Sequence, residues 1–340
     1  MQKSYPRIKD VAQAAGVSTA TVSRALTQPD LLNEVTRERV FDAIRLTGYR
    51  VNKAARNLRT RRAGAVLVLV PNLGNPFFSV ILSSISDVLA TNGYAVLVLD
   101  SQQPSAPDRV VSDYLLNGSA DGLITLDGAL SPALMQTLQD TGLLRNTVFC
   151  CEWSDTFELP SVRSDNPHGV ALAVDHLVGL GHRKIAHVTG PAQNVLAQVR
   201  SESFLARCAY HGLDVTPDWI IPGEFSLDAG GHAAARLLGM ADRPTGVFCA
   251  SDEIALGLIS YCQKIGLSVP EDLSVVGFDD LEISAFLHPP LTTIRQNRAS
   301  LGHMAAQELL QRLQTPEPGQ LDLVRSAPVE LIVRNTTARR

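Results

Sequence analysis

Two parts of the sequence carry side chains whose types and spacing suggest chemistry. The first is "DVAQAAGVSTATVSRAL", residues 10–26, in which small polar side chains surround Arg24. Such side chains let a helix lie deep in the major groove of DNA, where an arginine can contact phosphate or guanine. The second is a set of acidic pairs such as Asp279 and Asp280, which in principle can serve general acid–base chemistry.

Motifs of the common enzyme and metal sites are missing from the sequence. It contains no G-x-x-x-x-G-K-[ST], no G-x-S-x-G and no G-x-G-x-x-G. The five cysteines are odd in number and lack a C-x-x-C spacing, which favours buried reduced thiols over disulfides or a zinc ribbon. The histidines of residues 168–187 have no metal-ligand spacing with acidic or cysteine companions. We therefore expect no enzyme activity, no metal and no cofactor.

Charge divides the chain into a small basic part and a large acidic part. Residues 1–62 hold 13 lysines and arginines and 5 acidic residues, a net charge of +8. The whole chain has a formal net charge of -4, so residues 63–340 carry -12. A polyanion such as DNA is therefore expected to meet only the first part, because the charge of the second part repels it.

The basic part shows the pattern of a helix-turn-helix. Apolar residues recur on one face of a short helix that Gly16 ends, and Ser18 can cap a second helix that begins at Thr19. A third helix is predicted from about Asn33 to Thr47, with Gly48 ending it. Two short helices joined by a tight turn with glycine form a helix-turn-helix. A small helical bundle is the alternative, but the charge and the small polar outer face favour DNA binding.

From residue 65 onward, short apolar runs alternate with helical patterns. The runs are "AVLVLVP", "YAVLVLD", "DGLITLD" and "TVFCCE", followed by "KIAHVTGP", "TGVFCASD" and "LSVVGFDD". They are typical of buried strands in parallel sheets. Two βα series of similar length predict an α/β body of two doubly wound lobes, with a ligand cleft at the carboxyl ends of the strands.

Location is predicted from the apolar segments. The first ten residues lack the apolar region of a secretory signal. The longest aliphatic run, "AVLVLV", is far shorter than the roughly 20 residues that a membrane span needs. A cytoplasmic location is therefore expected.

The stretches "IKDVAQAAGVSTATVSRAL" and "TRERVFDAIRLTGYRVNKAARNLRT" resemble the N-terminal domain of the lactose/galactose repressor family. The resemblance extends over about residues 7–335 and implies a DNA-binding transcription regulator, in the first place a repressor. It also implies a homodimer that reads a pseudo-palindromic DNA operator. By this resemblance Thr19, Ala20, Ser23 and Arg24 lie on the recognition helix, and the helical pattern adds Thr21 to its outer face.

The resemblance further implies a hinge helix that folds when two subunits meet over DNA. It starts at Asn52, and Leu58, with Ala55 beside it, matches the leucine that family members insert into the minor groove. Such a wedge partly unstacks a base step and kinks the duplex. The usual Pro-Asn at the hinge start is Val51-Asn52 here, and an ordinary packing role for Leu58 is the alternative.

The domain order implied by the resemblance is that of periplasmic sugar-binding proteins with an added head. Residues 1–50 form the helix-turn-helix domain and residues 51–62 the hinge helix and linker. The first lobe comprises residues 63–162 and 293–325, and the second lobe comprises residues 163–292 and 326–335. The chain then crosses between the lobes three times.

Motif matching also names candidates for binding a small-molecule effector between the lobes. Arg200 matches an arginine that donates forked hydrogen bonds to ligand, and Asp279 matches a carboxylate that accepts from ligand hydroxyls. The aromatic candidates offer ring faces. The full set is Phe77, Phe78, Glu152, Trp153, Arg200, Phe225, Ser251, Asp279 and Gln296.

Departures from the ribose-binding members bear on the ligand. Those members carry Asp-Arg where this chain has Glu152-Trp153, and Asn where it has Ser251. An indole in place of a forked donor favours a ligand with an aromatic base. The stretches "NPFFS", "ELPSVRSDN" and "VFCASDEIALG" resemble the cytidine repressor branch of the family. A nucleoside effector is expected, with a pentose or another sugar as the alternative. The helix at residues 82–90 is a candidate subunit interface, and a solute-binding protein without DNA activity is a distant alternative.

Overall fold

A computed structural model describes residues 6–49, 62–102, 107–315 and 323–340. The chain divides into two compact units, residues 1–63 and residues 64–340. The hinge helix expected within residues 51–62 lies almost wholly outside the described residues, as do Asn52, Ala55 and Leu58.

The first unit contains three α-helices in its described part: α1 (Ile8–Ala15), α2 (Thr19–Thr27) and α3 (Glu34–Thr47). Gly16 ends α1 with a left-handed backbone (φ 63°), which a residue without Cβ adopts at little cost. The Ser18 hydroxyl accepts a hydrogen bond from the Thr21 amide at 3.1 Å and so caps α2. Asn33 caps α3 in the same way, as the sequence predicted.

The three helices enclose a small core. Val11, Val22 and Val40, one from each helix, have no exposed surface. The guanidinium of Arg39 donates to the carbonyl of Ala15 at 2.7 Å, which satisfies one of the carbonyls left unpaired at the end of α1. The helix-turn-helix is thus fixed from within by its own core and caps.

The described part of the second unit forms two six-stranded sheets. The first has the order β11-β5-β4-β3-β1-β2 and is parallel throughout. Its strands are β1 (Ala65–Val70), β2 (Ala95–Asp100), β3 (Gly122–Thr125), β4 (Thr147–Cys150), β5 (Ser161–Ser164) and β11 (Val324–Ala327).

Helices cover both faces of the first sheet. Strand β1 alternates, with Val66, Val68 and Val70 in the core beneath α4 (Phe77–Thr91) and α11 (Arg298–Gln314). Leu67 and Leu69 face the opposite core, beneath α5 (Pro107–Leu116) and α6 (Pro132–Asp140). A sheet buried on both sides explains the continuous apolar run of β1 in the sequence.

The second sheet has the order β12-β10-β9-β8-β6-β7 and is parallel except for β12. Its strands are β6 (Ile185–Val188), β7 (Ile220–Ile221), β8 (Gly246–Cys249), β9 (Ser274–Asp279), β10 (Thr292–Gln296) and β12 (Val329–Ile332). Its helices are α7 (Asn166–Gly179), α8 (Val195–Tyr210), α9 (Leu227–Leu238) and α10 (Asp252–Lys264). This is the predicted fold class: a helical head and two doubly wound lobes.

The crossings between the lobes differ in detail from those expected. Strand β5 extends the first sheet to Ser164, beyond the expected end at residue 162. Strand β10 pairs with β9 and β12, so it belongs to the second sheet and not to the first lobe from residue 293 onward. The second crossing therefore follows Gln296, and the third lies at Pro328, between β11 and β12.

Helices α9 and α10 approach each other closely through glycine. A Cβ at Gly257 would lie 1.8 Å from the Leu227 carbonyl oxygen. We expect Gly257→Ala to lower the free energy of unfolding by about 3 kcal/mol, because two backbones must move apart. Gly179→Ala is the control, since a Cβ there meets nothing within 4 Å. Urea unfolding measures both, and equal effects would contradict the close approach.

Candidate functional site

The outer face of α2 carries the side chains expected to contact DNA. Thr19, Ala20 and Arg24 are exposed, while Thr21 and Ser23 are half-buried. The hydroxyl of Thr21 lies 2.9 Å from that of Ser18, so this side chain also takes part in the cap of α2. The helix therefore presents a surface of short side chains and a single arginine, which fits a major groove.

A small cavity lies between the two sheets of the second unit. Its free volume is about 40 Å³, and residues from the ends of several strands line it. Seven of the nine predicted effector-binding residues are among them. The lining residues are Asn75, Phe77, Phe78, Cys151, Glu152, Leu196, Arg200, Phe225, Ser251 and Asp279.

Arg200 is the cation of this cavity, although only 2% of it is exposed. Its Nε donates to Asn166 Oδ1 at 2.9 Å and its Nη1 donates to the Ala250 carbonyl at 2.6 Å. The guanidinium lies 3.9 Å from the centre of the Phe278 ring. Its Nη2 has no hydrogen-bond partner within the described parts of the chain, which leaves one edge of the fork available to a ligand.

Two carboxyl groups face this arginine. Burial raises the pKa of Glu152 to about 7, against the hydrogen bonds that it accepts from the Gly128 amide (3.0 Å) and from Asn194 Nδ2 (2.7 Å). Burial also raises the pKa of Asp279 to about 6, which the charge of Arg200 partly offsets. A ligand that donates hydrogen bonds to these two carboxylates therefore stabilises their charged forms.

The backbone at the cavity is strained. Cys151, Asp279 and Asp280 have φ values of 73°, 124° and 51°, in the region that favours glycine. Such residues cost on the order of 1–3 kcal/mol each and persist where their surroundings hold them. The surroundings here include Arg295 and Arg334, which donate to the Asp280 carboxylate at 2.6 Å each.

Asp252 also supports the segment that follows Asp279 and Asp280. It is completely buried, and its Oδ2 accepts hydrogen bonds from the Leu281 amide (2.8 Å) and the Ser284 hydroxyl (2.5 Å). Its Oδ1 accepts from the Thr293 hydroxyl on β10 at 2.5 Å. Burial raises the pKa of Asp252 to about 7, and the charge of Asp279 adds to the rise. Asp252 thus positions the loop that carries Asp279 and does not line the cavity itself.

Three phenylalanine rings, together with Leu196, give the lining its apolar part. Phe77 and Phe78 meet edge to face, with ring centres 5.2 Å apart, at the start of α4. The ring of Phe225 packs on Gly190, where a Cβ would lie 2.4 Å from its Cζ. Gly190 therefore allows the ring to lie over the cavity.

Two of the predicted residues stand elsewhere than expected. Trp153 is outside the cavity, packs on Phe149 and Leu196, and has the Arg163 guanidinium 3.8 Å from its ring centre. That face of the indole is covered, so the expected stacking on a ligand is not available there. Gln296 lies behind Asp279 and donates to its Oδ1 at 2.6 Å, which makes it a positioning residue.

Ser251 lines the cavity and also has a structural task. Its hydroxyl accepts from the Ile254 amide at 3.3 Å and caps α10. Asp252 follows as the first residue of this helix.

A larger outer compartment adjoins the cavity and shares Glu152 with it. It has a volume of about 480 Å³ at the carboxyl ends of the strands. Its walls come from both lobes. They include Ser101, Asp127, Gly128, Trp153, Gln193, Asn194 and Glu224.

Side-chain hydrogen bonds join the lobes across the cleft. Asn75 donates to Glu253 at 3.1 Å, and Asn194 donates to Glu152 at 2.7 Å. Leu196 of α8 adds an apolar contact to Phe149 and Trp153. The cleft is thus closed around the cavity.

Sequence reasoning missed several of these residues. Asn75 and Asn194 follow strands β1 and β6, and polar residues at strand ends were a usable signal for both. Asn166 and Asp252 act through contacts with residues more than 25 positions away, for which the sequence offers no signal.

The five cysteines are buried and free, as predicted. Within the described ranges, no group of three or more His, Cys, Asp or Glu side chains could hold a metal ion. No helix in the same ranges is long and apolar enough to cross a membrane.

Comparison with known proteins identifies both units. Residues 7–52 match the family "Bacterial regulatory proteins, lacI family", and residues 174–337 match "Periplasmic binding protein-like domain". The HTH-type transcriptional repressor CytR of Escherichia coli K12 is 36% identical over 336 residues, which cover 99% of this chain and 97% of that protein. The repressor PurR of Vibrio cholerae is 32% identical over 91% of this chain and 92% of its own length.

Solved structures agree with these matches. The lac repressor dimer bound to operator and the anti-inducer ONPF has a TM-score of 0.87 at 30% identity, covering 98% of this chain and 100% of that one. A LacI family regulator from Enterococcus faecium with bound ribose has a TM-score of 0.72 at 30% identity, covering 81% and 99%. The relatives CytR and PurR are both transcriptional repressors. This chain is a DNA-binding transcription regulator that belongs to the lacI family of bacterial regulatory proteins.

Proposed function

We propose that this regulator is a repressor whose operator binding is controlled by a nucleoside bound between its lobes. The observation that carries the proposal is the pairing of three phenylalanine rings with Arg200, Glu152 and Asp279 around one cavity. Ring faces suit a planar base, and the charged groups suit the hydroxyls of a sugar. The resemblance of the sequence to the cytidine repressor branch supports a ligand of this class.

Each polar group has a role in this proposal. The unpaired Nη2 of Arg200 donates to a sugar hydroxyl oxygen, and the carboxylates of Glu152 and Asp279 accept from hydroxyl protons. Gln296 and Asp252 keep Asp279 in place. Trp153 is proposed to shape the outer compartment, and Ser251 to contact the ligand while it caps α10.

The closed cleft has consequences for how a ligand enters. About 40 Å³ is far below the 300–1,000 Å³ of ordinary ligand sites, so the lobes must separate or Phe225 must move to admit a nucleoside. Opening breaks the contacts of Asn75 with Glu253 and of Asn194 with Glu152. Ligand binding therefore shifts the equilibrium between open and closed lobes.

On DNA, we propose that two copies read a pseudo-palindromic operator in the cytoplasm. The recognition helix supplies Thr19, Ala20, Thr21, Ser23 and Arg24, and Asn52, Ala55 and Leu58 supply the hinge contacts. The lac repressor dimer on its operator supports this arrangement. Strand β2 is an edge strand of the first sheet, and 45% of its Val98 is exposed. This edge, beside α4, is the proposed subunit contact.

A ligand screen tests the proposal. We expect cytidine, uridine or adenosine to raise the melting temperature of the purified chain and to change its affinity for operator DNA, whereas free bases and pentoses do neither. Thermal shift and gel shift measure the two effects. A response to ribose alone would instead establish the pentose alternative, which the ribose-bound regulator from Enterococcus faecium favours.

A further inference from the structure

The outer compartment of the cleft is acidic. Asp127, Glu152 and Glu224 line it, and no lysine or arginine is among the described residues of its wall. None of the three carboxylates forms an ion pair with any described residue. Whatever enters the compartment therefore meets the charges of Asp127 and Glu224 without a cation between them.

Hydrogen bonds fix two of these carboxylates in the wall of the cleft, and the third lies at its rim. Asp127 is half-buried, and its Oδ2 accepts from the Ser101 hydroxyl while its Oδ1 accepts from the Ala129 amide at 2.8 Å. Glu152 is fixed by Gly128 and Asn194, as described above. Glu224 is exposed at the rim.

The inner cavity does not compensate for this charge. Arg200 faces both Glu152 and Asp279, and two of its nitrogens already donate hydrogen bonds to Asn166 and to the Ala250 carbonyl. Glu253 adds another carboxyl at the cavity through its contact with Asn75. A phosphate group carries -1.5 to -2 charges near neutral pH and needs cations or several N–H donors.

We propose that the cleft selects an unphosphorylated ligand, and that Asp127 and Glu224 are the residues that exclude a phosphate ester. The inference rests on the proposed nucleoside effector and deepens it. A substituent that leaves the inner cavity past Glu152 enters the outer compartment, because the two spaces share that residue. A 5′-phosphate there meets two further carboxylates, and like charges in contact oppose binding strongly. The charge of Asp127 already adds to the rise in the pKa of Glu152, whose main cause is burial.

Calorimetry on the full chain tests the exclusion with matched pairs: cytidine against its 5′-monophosphate, and ribose against ribose 5-phosphate. We expect the phosphate ester to bind at least about tenfold more weakly than its unphosphorylated partner. In the double variant Asp127→Asn with Glu224→Gln, the ester should gain about tenfold while the parent compound changes by less than about threefold. Glu271→Gln removes a carboxylate that does not line the cleft and is the control.

The outcomes separate the two proposals. Equal binding of cytidine and its monophosphate would overturn the exclusion and leave the nucleoside effector standing. Discrimination within the ribose pair, with no binding of cytidine, would support the exclusion and overturn the nucleoside. No gain by the double variant would overturn the role of Asp127 and Glu224. Binding of neither parent compound would overturn both proposals.

Discussion

Arg200→Ala is expected to weaken effector binding by about 100-fold or more while the chain still binds operator DNA. The variant removes the only guanidinium among the described residues of the cavity wall and leaves Glu152 and Asp279 without their cation. Both carboxyls then keep their protons to higher pH, so they accept hydrogen bonds less well at neutral pH. Calorimetry with the effector found by the screen measures the loss, and a gel shift measures DNA binding.

Two further variants make this experiment decisive. Arg200→Lys keeps the positive charge but loses the forked geometry, so we expect it to fold and still to bind effector poorly. Arg207→Ala lies on the same helix and removes an arginine that pairs with Asp175 at the surface. It should leave effector affinity unchanged. An unchanged response in Arg200→Ala would show that the ligand binds elsewhere.

Asp252→Ala is expected to lower the free energy of unfolding by about 3 kcal/mol or more, because three buried donors lose their acceptor. The donors are the Leu281 amide and the hydroxyls of Ser284 and Thr293. The loop that carries Asp279 then loses one of its supports, so effector affinity should fall as well. Urea unfolding gives the first quantity and calorimetry the second.

The pH dependence of Asp252→Asn checks the same assignment. The folded pKa of Asp252, about 7, lies above the unfolded value of about 3.9. The carboxyl therefore contributes stability that is complete below about pH 4 and is lost as the pH rises through about 7. Asparagine keeps an acceptor for Leu281 and does not titrate, so the stability of the variant relative to the wild type should rise between about pH 4 and pH 7 and stay level above that range. A difference that stays constant with pH would contradict the raised pKa.

Local signals were enough to predict the head and most of the strands. Gly16, Ser18, Asn33 and Gly48 stand where the helices end or begin, because caps depend on residues close in sequence. Strands β1, β3 and β8 are buried apolar runs bounded by turn residues. Strands β5 and β10 contain polar and charged residues, so no periodicity marked them, and the expected crossings were displaced accordingly.

The cavity was predictable in its position and in most of its lining, but not in how its parts interact. The carboxyl ends of parallel strands gave the place, and motif matching gave Phe77, Arg200 and Asp279. The covering of Trp153 by Arg163 depends on two strands meeting side by side, which no local pattern encodes. The same holds for Asn166, which fixes Arg200 across 34 positions of sequence.

The separate core of the N-terminal unit bears on how such regulators diversify. Val11, Val22 and Val40 are fully buried against one another, and residues 64–340 form a compact unit of their own. Substitutions on the outer face of α2 can therefore change which genes are addressed without disturbing the packing around the cavity. Substitutions at the strand ends can likewise change which effector is bound without altering the operator sequence that is read. Operator specificity and effector specificity can thus evolve independently of each other.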